Sequence, residues 1–225
     1  MLKGDFHIHT SFSYDAFSSP KEIVNQALKV GLDILCITDH SETKGAVEVL
    51  RFSFDKKLIV IPGIEIKSKD GDILGINIKK KIPDGLSGKK TIKEIKRAGG
   101  IAIIAHPYGL PPAQKLKENL EFADGFEIFN ASLFKFANKK AKRLQKIFPQ
   151  KVTTAGSDAH FPKFLGKGGL LFDGENLDEK KILEKILKKE VKIFGKEYTL
   201  FEKIEDHFKK GIVKIKNALS KKRKI

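Results

Sequence analysis

The chain has 225 residues, of which 40% are hydrophobic, so it is long enough to bury the core of an α/β domain. Its apolar runs are well short of the roughly 18 residues that span a bilayer, and its first residues lack a signal-peptide pattern, so we expect one cytoplasmic domain. Cys36 is the only cysteine, which excludes a disulfide framework.

The chain is strongly basic, with a net charge of +16. Clustered cations bind nucleic-acid backbones by releasing counterions, so a nucleic-acid partner stays open. Nearly all of this charge is lysine, whereas arginine is the residue that binds phosphates and bases through two hydrogen bonds. High lysine is also compatible with a heat-loving organism, in which charged surfaces are enriched. We therefore favour a solvated basic surface over a dedicated nucleic-acid face.

Short apolar strands alternate with lysine-rich helical segments, a pattern typical of a parallel α/β sheet or barrel with outer helices. The predicted strands are 5–10, 33–38, 58–66, 101–105, 125–129, 151–155 and 169–172. The predicted helices are 19–30, 91–98, 115–123, 135–148 and 178–190. An Asp-Gly pair at 70–71 predicts a β-hairpin inserted into this rhythm. We expect a single domain, with a core of about residues 4–195 and a basic helical extension of about residues 196–225.

Five of the six histidines lie at the carboxyl ends of predicted strands or just beyond them. In a parallel barrel these ends surround one shared mouth, where ligand-binding groups collect. His7 and His9 are two residues apart on a strand, so both imidazoles point to the same side. Histidines in these positions therefore predict a site at the mouth of a barrel.

Three carboxylates accompany these histidines along the chain. Glu65 stands in an apolar strand, where burying a bare carboxylate is unfavourable unless it is paired or bound to a metal. Nitrogen and oxygen ligands without thiolate suit zinc, manganese or iron in a catalytic site and disfavour a structural zinc site. The predicted ligands are His7, His9, Asp15, His40, Glu65, His106, Asp158 and His160. Eight side chains are enough for two or three ions.

The order of these motifs resembles the polymerase and histidinol phosphatase (PHP) family of metal-dependent phosphoesterases. Across about residues 4–172 the motifs are His-x-His, a following acid, Thr-Asp-His, Gly-x-Glu, His-Pro and Gly-Ser-Asp-x-His. The resemblance implies a distorted (β/α)7 barrel of the TIM type. It also implies one metal site of His7, His9, Glu65 and Asp158, a second of Asp15, His40 and His160, and a third that begins with Glu65 and His106.

One segment departs from part of that family. Some members with three ions have a further histidine shortly after the strand at 125–130, where this chain has Ala131-Ser132-Leu133-Phe134-Lys135. The resemblance therefore supports two ions and leaves the third open. Glu127 or Asn130 could replace the missing ligand, or Asn130 could cap the next helix. Asp39, beside a predicted ligand, is expected to orient an imidazole or fix its loop.

The resemblance implies hydrolysis of phosphoesters by a metal-bound hydroxide, with a small phosphomonoester or a nucleotide as the substrate. No Cys-His pair or Gly-x-Ser-x-Gly motif offers another nucleophile. His160, His40 or His106 could protonate the leaving group, and Lys163 could bind the phosphate.

Two alternatives stay open at this point. One is a nucleic-acid phosphodiesterase or exonuclease, and the other is a non-catalytic nucleic-acid-binding barrel similar to ribonuclease P protein subunits. The presence of all the main ligand types weighs against the second, which salt-sensitive RNA or DNA binding without metal would favour. The sequence leaves open the physiological substrate, the native metal and the oligomeric state.

Overall fold

A computed structural model describes residues 1–110 and 115–222, with side chains up to residue 219. Its strands are β1 (Leu2–Ile8), β2 (Ile34–Ile37), β3 (Ile59–Ser68), β4 (Gly71–Ile76), β5 (Ile101–Ile104), β6 (Gly125–Asn130), β7 (Val152–Gly156), β8 (Gly168–Phe172) and β9 (Lys192–Gly195). They form one sheet in the order β7-β6-β5-β4-β3-β2-β1-β8-β9. All seven strands predicted from the sequence are present within a residue or a few of their predicted bounds.

The sheet is mixed, although most of its central strands are parallel. β1, β2 and β3 run parallel to one another, as do β5, β6 and β7. β4 is antiparallel to both β3 and β5, which confirms the predicted hairpin at the Asp-Gly turn. β8 is antiparallel to β1 and to β9. The inserted hairpin is the main distortion of the regular βα repeat.

The sheet curls into a nearly closed barrel because β1 approaches the end of β7. The His9 N–H donates to the Ala159 carbonyl at 3.0 Å, and the Asp158 N–H donates to the His7 carbonyl at 2.9 Å. Ile8 and Ala159 form a parallel bridge between these hydrogen bonds. This closure confirms the predicted α/β barrel and places the loop after β7 directly beside the His-x-His pair.

Helices connect most of the strands, and each prediction made for them is confirmed to within a few residues. The helices are α1 (Pro20–Lys29), α2 (Lys44–Ser53), α3 (Gly88–Arg97), α4 (Leu116–Phe122), α5 (Lys135–Ile147), α6 (Glu179–Leu187) and α7 (Leu200–Lys222). Ser19 caps α1 through a capping box with Glu22. A short 3-10 helix at Pro162–Phe164 follows His160.

α2 and β9 were not predicted from the sequence. α2 contains Gly45 and two valines, which are weak helix formers, so its local pattern is poor. Gly45 is nevertheless required, because a Cβ there would lie 1.8 Å from Asp39 Oδ2. β9 is only four residues long and partly exposed at the edge of the sheet, so it carries little hydrophobic signal.

The predicted basic extension is helical from Leu200 to Lys222, and residues 223–225 lie outside the described part of the chain. α7 packs across the loops at the mouth of the barrel. Lys203 Nζ donates to the carbonyls of Ser132 and Leu133, each at 2.6 Å, and Asn217 Nδ2 donates to the Tyr14 carbonyl at 2.9 Å. No helix in the described residues has the length and apolar character needed to cross a membrane.

Candidate metal centre

Glu65, at the mouth of the barrel on β3, is contacted by four histidines. Its Oε2 lies 3.3 Å from His7 Nε2, 3.2 Å from His9 Nε2 and 3.1 Å from His40 Nδ1. Its Oε1 lies 3.0 Å from His106 Nε2. A mainly apolar strand therefore carries one carboxylate that contacts imidazoles from three other strand ends.

Asp158, in the loop after β7, completes the group around the His-x-His pair. Its Oδ1 lies 3.6 Å from His7 Nε2 and 3.4 Å from His9 Nε2. Its Oδ2 accepts hydrogen bonds from Ser132 Oγ at 2.9 Å and Asn130 Nδ2 at 3.3 Å. Asp158 has a φ of 56°, a left-handed conformation that aspartate adopts more readily than most residues. Backbone strain of this kind is common where a functional side chain must be aimed.

Asp15 joins the remaining histidines on the other side of the mouth. Its Oδ1 lies 3.5 Å from His40 Nε2 and 3.4 Å from His160 Nε2. The Nδ1–H of His160 donates to the Asp158 carbonyl at 3.0 Å, which leaves Nε2 as the nitrogen that faces Asp15. The backbone thus selects the tautomer of His160 that suits a ligand.

Glu127 supports the centre from behind. His7 Nδ1 donates to Glu127 Oε1 at 2.9 Å, while Oε2 accepts from the His106 backbone N–H at 2.7 Å and from Asn130 Nδ2 at 3.2 Å. Both carboxylate oxygens of Glu127 are therefore occupied by contacts that fix His7, His106 and Asn130. This arrangement is the usual one for a carboxylate that orients a metal-binding imidazole.

Asp39 supports His9 through a serine that sequence reasoning did not single out. His9 Nδ1 lies 3.1 Å from Ser13 Oγ, and Ser13 Oγ donates to Asp39 Oδ1 at 2.7 Å. Asp39 also accepts from the Thr10 N–H at 2.6 Å and the Thr10 hydroxyl at 2.7 Å. Asp39 therefore orients the His9 imidazole indirectly, through the Ser13 hydroxyl that lies between them.

Opposite charges hold the centre together. Burial disfavours the charged forms, yet the carboxylates of Asp158 and Glu65 raise the pKa of His9 to about 9. The pKa of His106 is likewise raised to about 9, against the effect of burial, chiefly by Glu65. The neighbouring histidines hold the pKa of Glu65 well below its usual value although burial acts in the opposite direction. Ionised carboxylates and protonated imidazoles thus compensate each other at neutral pH.

The donor set fits divalent ions. His7 Nε2, His9 Nε2 and Asp15 Oδ1 are buried atoms without a hydrogen-bond partner. A buried polar atom in that state is unfavourable unless something else binds it. Three groups of ligand atoms each lie within 4.8 Å of one another: His7 with His9 and Asp158, His9 with His40 and His160, and His7 with Glu65 and His106. The orphaned atoms and the compact groups have the spacing of first-row metal ligands.

The structure brings all the predicted ligands to one mouth, together with Asp39, Glu127 and Asn130. Lys163, predicted as a phosphate ligand, pairs with Glu205 on α7. Sequence reasoning missed Asp72 on β4, whose Oδ2 lies 3.9 Å from His106 Nε2. Its position just after the Asp-Gly turn made it look like an ordinary turn residue.

Helix α7 adds charged groups to the mouth that sequence reasoning also missed. Lys214 Nζ lies 3.5 Å from Asp15 Oδ2, and Lys210 Nζ lies 2.8 Å from the buried Asp206. Tyr198, just before α7, donates its hydroxyl to the Ser157 carbonyl at 2.8 Å, which fixes the loop that carries Asp158. The only sequence signal was the four-residue spacing of Asp206, Lys210 and Lys214, which places them on one helix face.

A nearly closed α/β barrel with clustered imidazoles and carboxylates at its mouth defines a barrel protein with a candidate multinuclear metal centre. The chain belongs to the PHP domain family, whose model matches residues 5–207. The resemblance seen in the sequence motifs is therefore confirmed.

Among curated relatives, an uncharacterized protein of Methanocaldococcus jannaschii is 36% identical over 142 residues, or 58% of this chain and 82% of its own. A probable histidinol-phosphatase of Thermotoga maritima is 33% identical over 57 residues, which cover 25% of this chain and 24% of that protein. The second match is confined to a short segment.

Among solved structures, the chain is similar to a two-domain protein of Bacteroides vulgatus described as containing a predicted PHP-like metal-dependent phosphoesterase. The TM-score is 0.72 at 19% identity, and the match covers 93% of this chain and 69% of the other. At this identity the likeness establishes the fold, which agrees with the barrel described above.

Proposed function

We propose that the chain hydrolyses phosphate esters with divalent ions held at the mouth of the barrel. The observation that carries the proposal is the set of three buried ligand atoms without a hydrogen-bond partner, on His7, His9 and Asp15, which face ligand groups from neighbouring strands. Bound ions would lower the pKa of a water and neutralise charge on the phosphoryl oxygens. Zinc, manganese and iron all suit these nitrogen and oxygen donors.

Two ions are the number that the donors support best. His7, His9, Glu65 and Asp158 would hold one ion, and Asp15, His40 and His160 would hold the other. A third ion beside Glu65 and His106 would have Asp72, which lies 3.9 Å from His106 Nε2, as an additional carboxylate ligand. Glu127 and Asn130 are engaged in supporting contacts, so we propose an orienting role for both.

The proton for the leaving group is proposed to come from a histidine that solvent and substrate can reach. The side chains of His40 and His106 are 16% and 20% exposed, whereas that of His160 is 4% exposed. Tyr14 stacks on His40 with ring centroids 4.9 Å apart, which orients its ring at the mouth. We therefore favour His106, which neither of the two proposed ions uses as a ligand, over His40 and His160 as the general acid.

A small phosphomonoester or a nucleotide is the proposed substrate. α7 crosses the mouth and bonds to loops on both sides, through Lys203 and Asn217, so the approach to the centre is narrowed. A single charged phosphate on a small molecule fits this arrangement better than a long duplex. A nucleic-acid end is the second candidate, favoured by the net charge of +16.

Elemental analysis of gently purified protein, followed by phosphate-release assays, tests the proposal. We expect two or more bound ions, with hydrolysis of p-nitrophenyl phosphate or a nucleotide that requires added manganese or zinc. Chelator-treated protein is the control, and short single-stranded RNA and DNA serve as competing substrates. Absence of bound metal together with absence of metal-dependent turnover on every substrate would contradict the proposal.

A further inference from the structure

Helix α7 presents a line of charged side chains to the metal centre. Asp206, Lys210 and Lys214 are spaced by four residues, so they share one face of the helix. Lys214 Nζ lies 3.5 Å from Asp15 Oδ2, which fixes that face as the one turned toward the mouth. The outer face of α7 is apolar and exposed, with Phe201 and Phe208 on it. The helix therefore turns Asp206 and Lys210 toward the mouth and exposes Phe201 and Phe208 to solvent.

Lys210 is the least exposed lysine of this line. Its side chain is 19% exposed, against 50% for Lys214, and its ammonium group is held by Asp206 at 2.8 Å. Asp206 is buried, and its second oxygen, Oδ1, has no hydrogen-bond partner. A buried carboxylate that is only half satisfied indicates a position built for something more than the fold.

The position of Lys210 on the helix places it beside the centre. It is one turn from Lys214, whose Nζ lies 3.5 Å from Asp15 Oδ2, and both lysines share the face that α7 turns toward the mouth. Asp206 is the one carboxylate among the described residues that pairs with Lys210. A lysine ammonium has three N–H donors, so Lys210 can keep its contact with Asp206 and donate to a second anion. A phosphoryl oxygen at the centre would be such an acceptor.

We propose that Lys210 binds a nonbridging oxygen of the substrate phosphoryl group and that Asp206 is the residue that positions its ammonium group. The inference rests on the proposed phosphoesterase function and deepens it, since it names the group that recognises the phosphate. Lys163, the sequence-based candidate for this role, has a side chain that is 44% exposed against 19% for Lys210, and its partner Glu205 is more exposed than Asp206. Lys210 is the better placed of the two.

The test compares Lys210→Met with Lys209→Met in the full-length, manganese-loaded protein. Lys209 is the adjacent lysine and pairs with Glu205. Lys209→Met therefore removes the same charge from the next position of the helix and leaves the pair of Lys210 with Asp206 intact. Inorganic phosphate is the probe, measured by calorimetric binding and by competitive inhibition of p-nitrophenyl phosphate hydrolysis. We expect Lys210→Met to weaken phosphate binding and raise KM at least about tenfold, because a hydrogen bond to a charged group is lost. Lys209→Met should change either value less than about twofold.

Manganese content, measured on each variant, separates recognition of phosphate from binding of the ions. We expect Lys210→Met to keep its manganese. Asp206→Asn should weaken phosphate binding by a smaller factor than Lys210→Met, and Lys210→Arg should retain part of the wild-type phosphate affinity. If Lys210→Met folds poorly, the double variant Asp206→Leu with Lys210→Met removes both buried charges and should show the same loss of phosphate affinity.

Two outcomes would overturn the inference. One is unchanged phosphate affinity and KM in Lys210→Met with its manganese retained. The other is an equal loss in Lys209→Met or Lys163→Met, which would indicate a general effect of surface charge. Failure of the proposed function has a different signature, because the wild-type protein itself would then show no metal-dependent turnover.

Discussion

The two faces of β1 have different roles, and consecutive residues of the strand point to opposite faces. Phe6 and Ile8 are fully buried in the hydrophobic core, and Phe6 packs against Phe172 with ring centroids 5.7 Å apart. His7 and His9, on the opposite face, are equally buried but surrounded by carboxylates and by one another. One face is stabilised by dispersion and loss of water contact, and the other by charges that compensate each other.

This difference teaches that burial alone does not identify a structural residue. Every one of the four side chains is inaccessible to solvent, yet only the histidines have buried atoms without partners. A change on the apolar face should reduce stability and leave the chemistry intact. A change on the polar face should do the reverse.

The largest expected effect comes from removing a side chain of the polar face. His9→Ala and Asp158→Ala should each reduce metal-dependent phosphate release by more than about 100-fold, because each loses a donor to the ions. Circular dichroism and thermal unfolding should show a fold close to that of the wild type. His207→Ala is the matched control, since His207 is exposed on α7. Unchanged turnover in both variants would remove the basis of the proposed function.

The apolar face should give the opposite result. Phe6→Ala should lower the free energy of unfolding by about 3–5 kcal/mol, because it leaves a cavity beside Phe172. Below the unfolding transition, kcat per folded molecule and metal content should stay near wild-type values. Phe201→Ala, at an exposed position, should change stability by less than about 0.5 kcal/mol. A large loss of kcat in folded Phe6→Ala would mean that the two faces are not separable.

Removing the ions should reveal how much they stabilise the fold. At a free metal concentration of 100 times Kd, binding to the native state alone contributes about 2.7 kcal/mol for one site. Chelation should therefore lower the unfolding temperature, and added manganese should restore it. The unfolding temperature of His9→Ala should fall less on chelation than that of the wild type. An equal fall in the two proteins would contradict a role for His9 in metal binding.

Changing the hydrogen-bonded residues that orient His9 should have a smaller effect than removing His9 itself. Asp39→Asn disturbs the chain from Asp39 through Ser13 to His9, so manganese affinity should fall by about 10- to 100-fold. Asp55→Asn, at an exposed carboxylate paired with Lys56, is the control and should leave the affinity unchanged. Titration calorimetry measures both. Equal affinities in the two variants would show that Ser13 and Asp39 do not tune His9.

The last expected effect is a dependence of metal affinity on pH. The pKa values of His9 and His106 are raised to about 9, so both imidazoles are protonated at neutral pH before metal binds. Binding must release these protons, and affinity for manganese should therefore rise as pH increases from 6 to 8, by about tenfold per unit for each proton released. Calorimetry in buffers with different ionisation enthalpies counts the protons. A flat profile would contradict protonated imidazoles in the metal-free protein.

The barrel and the metal-binding positions were predictable because both follow from regular spacing. Apolar runs mark the strands, and the histidines stand where the strands end. α2 was missed because Gly45 and two valines weaken its helix propensity, and the close approach of Asp39, which excludes a Cβ at Gly45, is visible only in the folded chain. The partner of His9 was missed because a serine in a loop has no periodic signature.

The role of α7 could not be predicted because its lysines are alike in sequence. Lys209 and Lys210 are adjacent, yet one pairs with Glu205 and the other with the buried Asp206. Their difference depends on the rotation of the helix against the mouth, which Lys203 and Asn217 fix through tertiary contacts. Asp72 was missed for a similar reason, since only the folded hairpin brings it near His106.

The sharing of Glu65 by four histidines also constrains how this protein can change over evolutionary time. Substitution of Glu65 would leave four imidazoles without their common acceptor, and no single second substitution could restore all four contacts. Among the described carboxylates, only Glu65 and, more distantly, Asp72 pair with the imidazole of His106. Mutational routes away from this chemistry should therefore begin at the periphery, with residues such as His106, and reach Glu65 last.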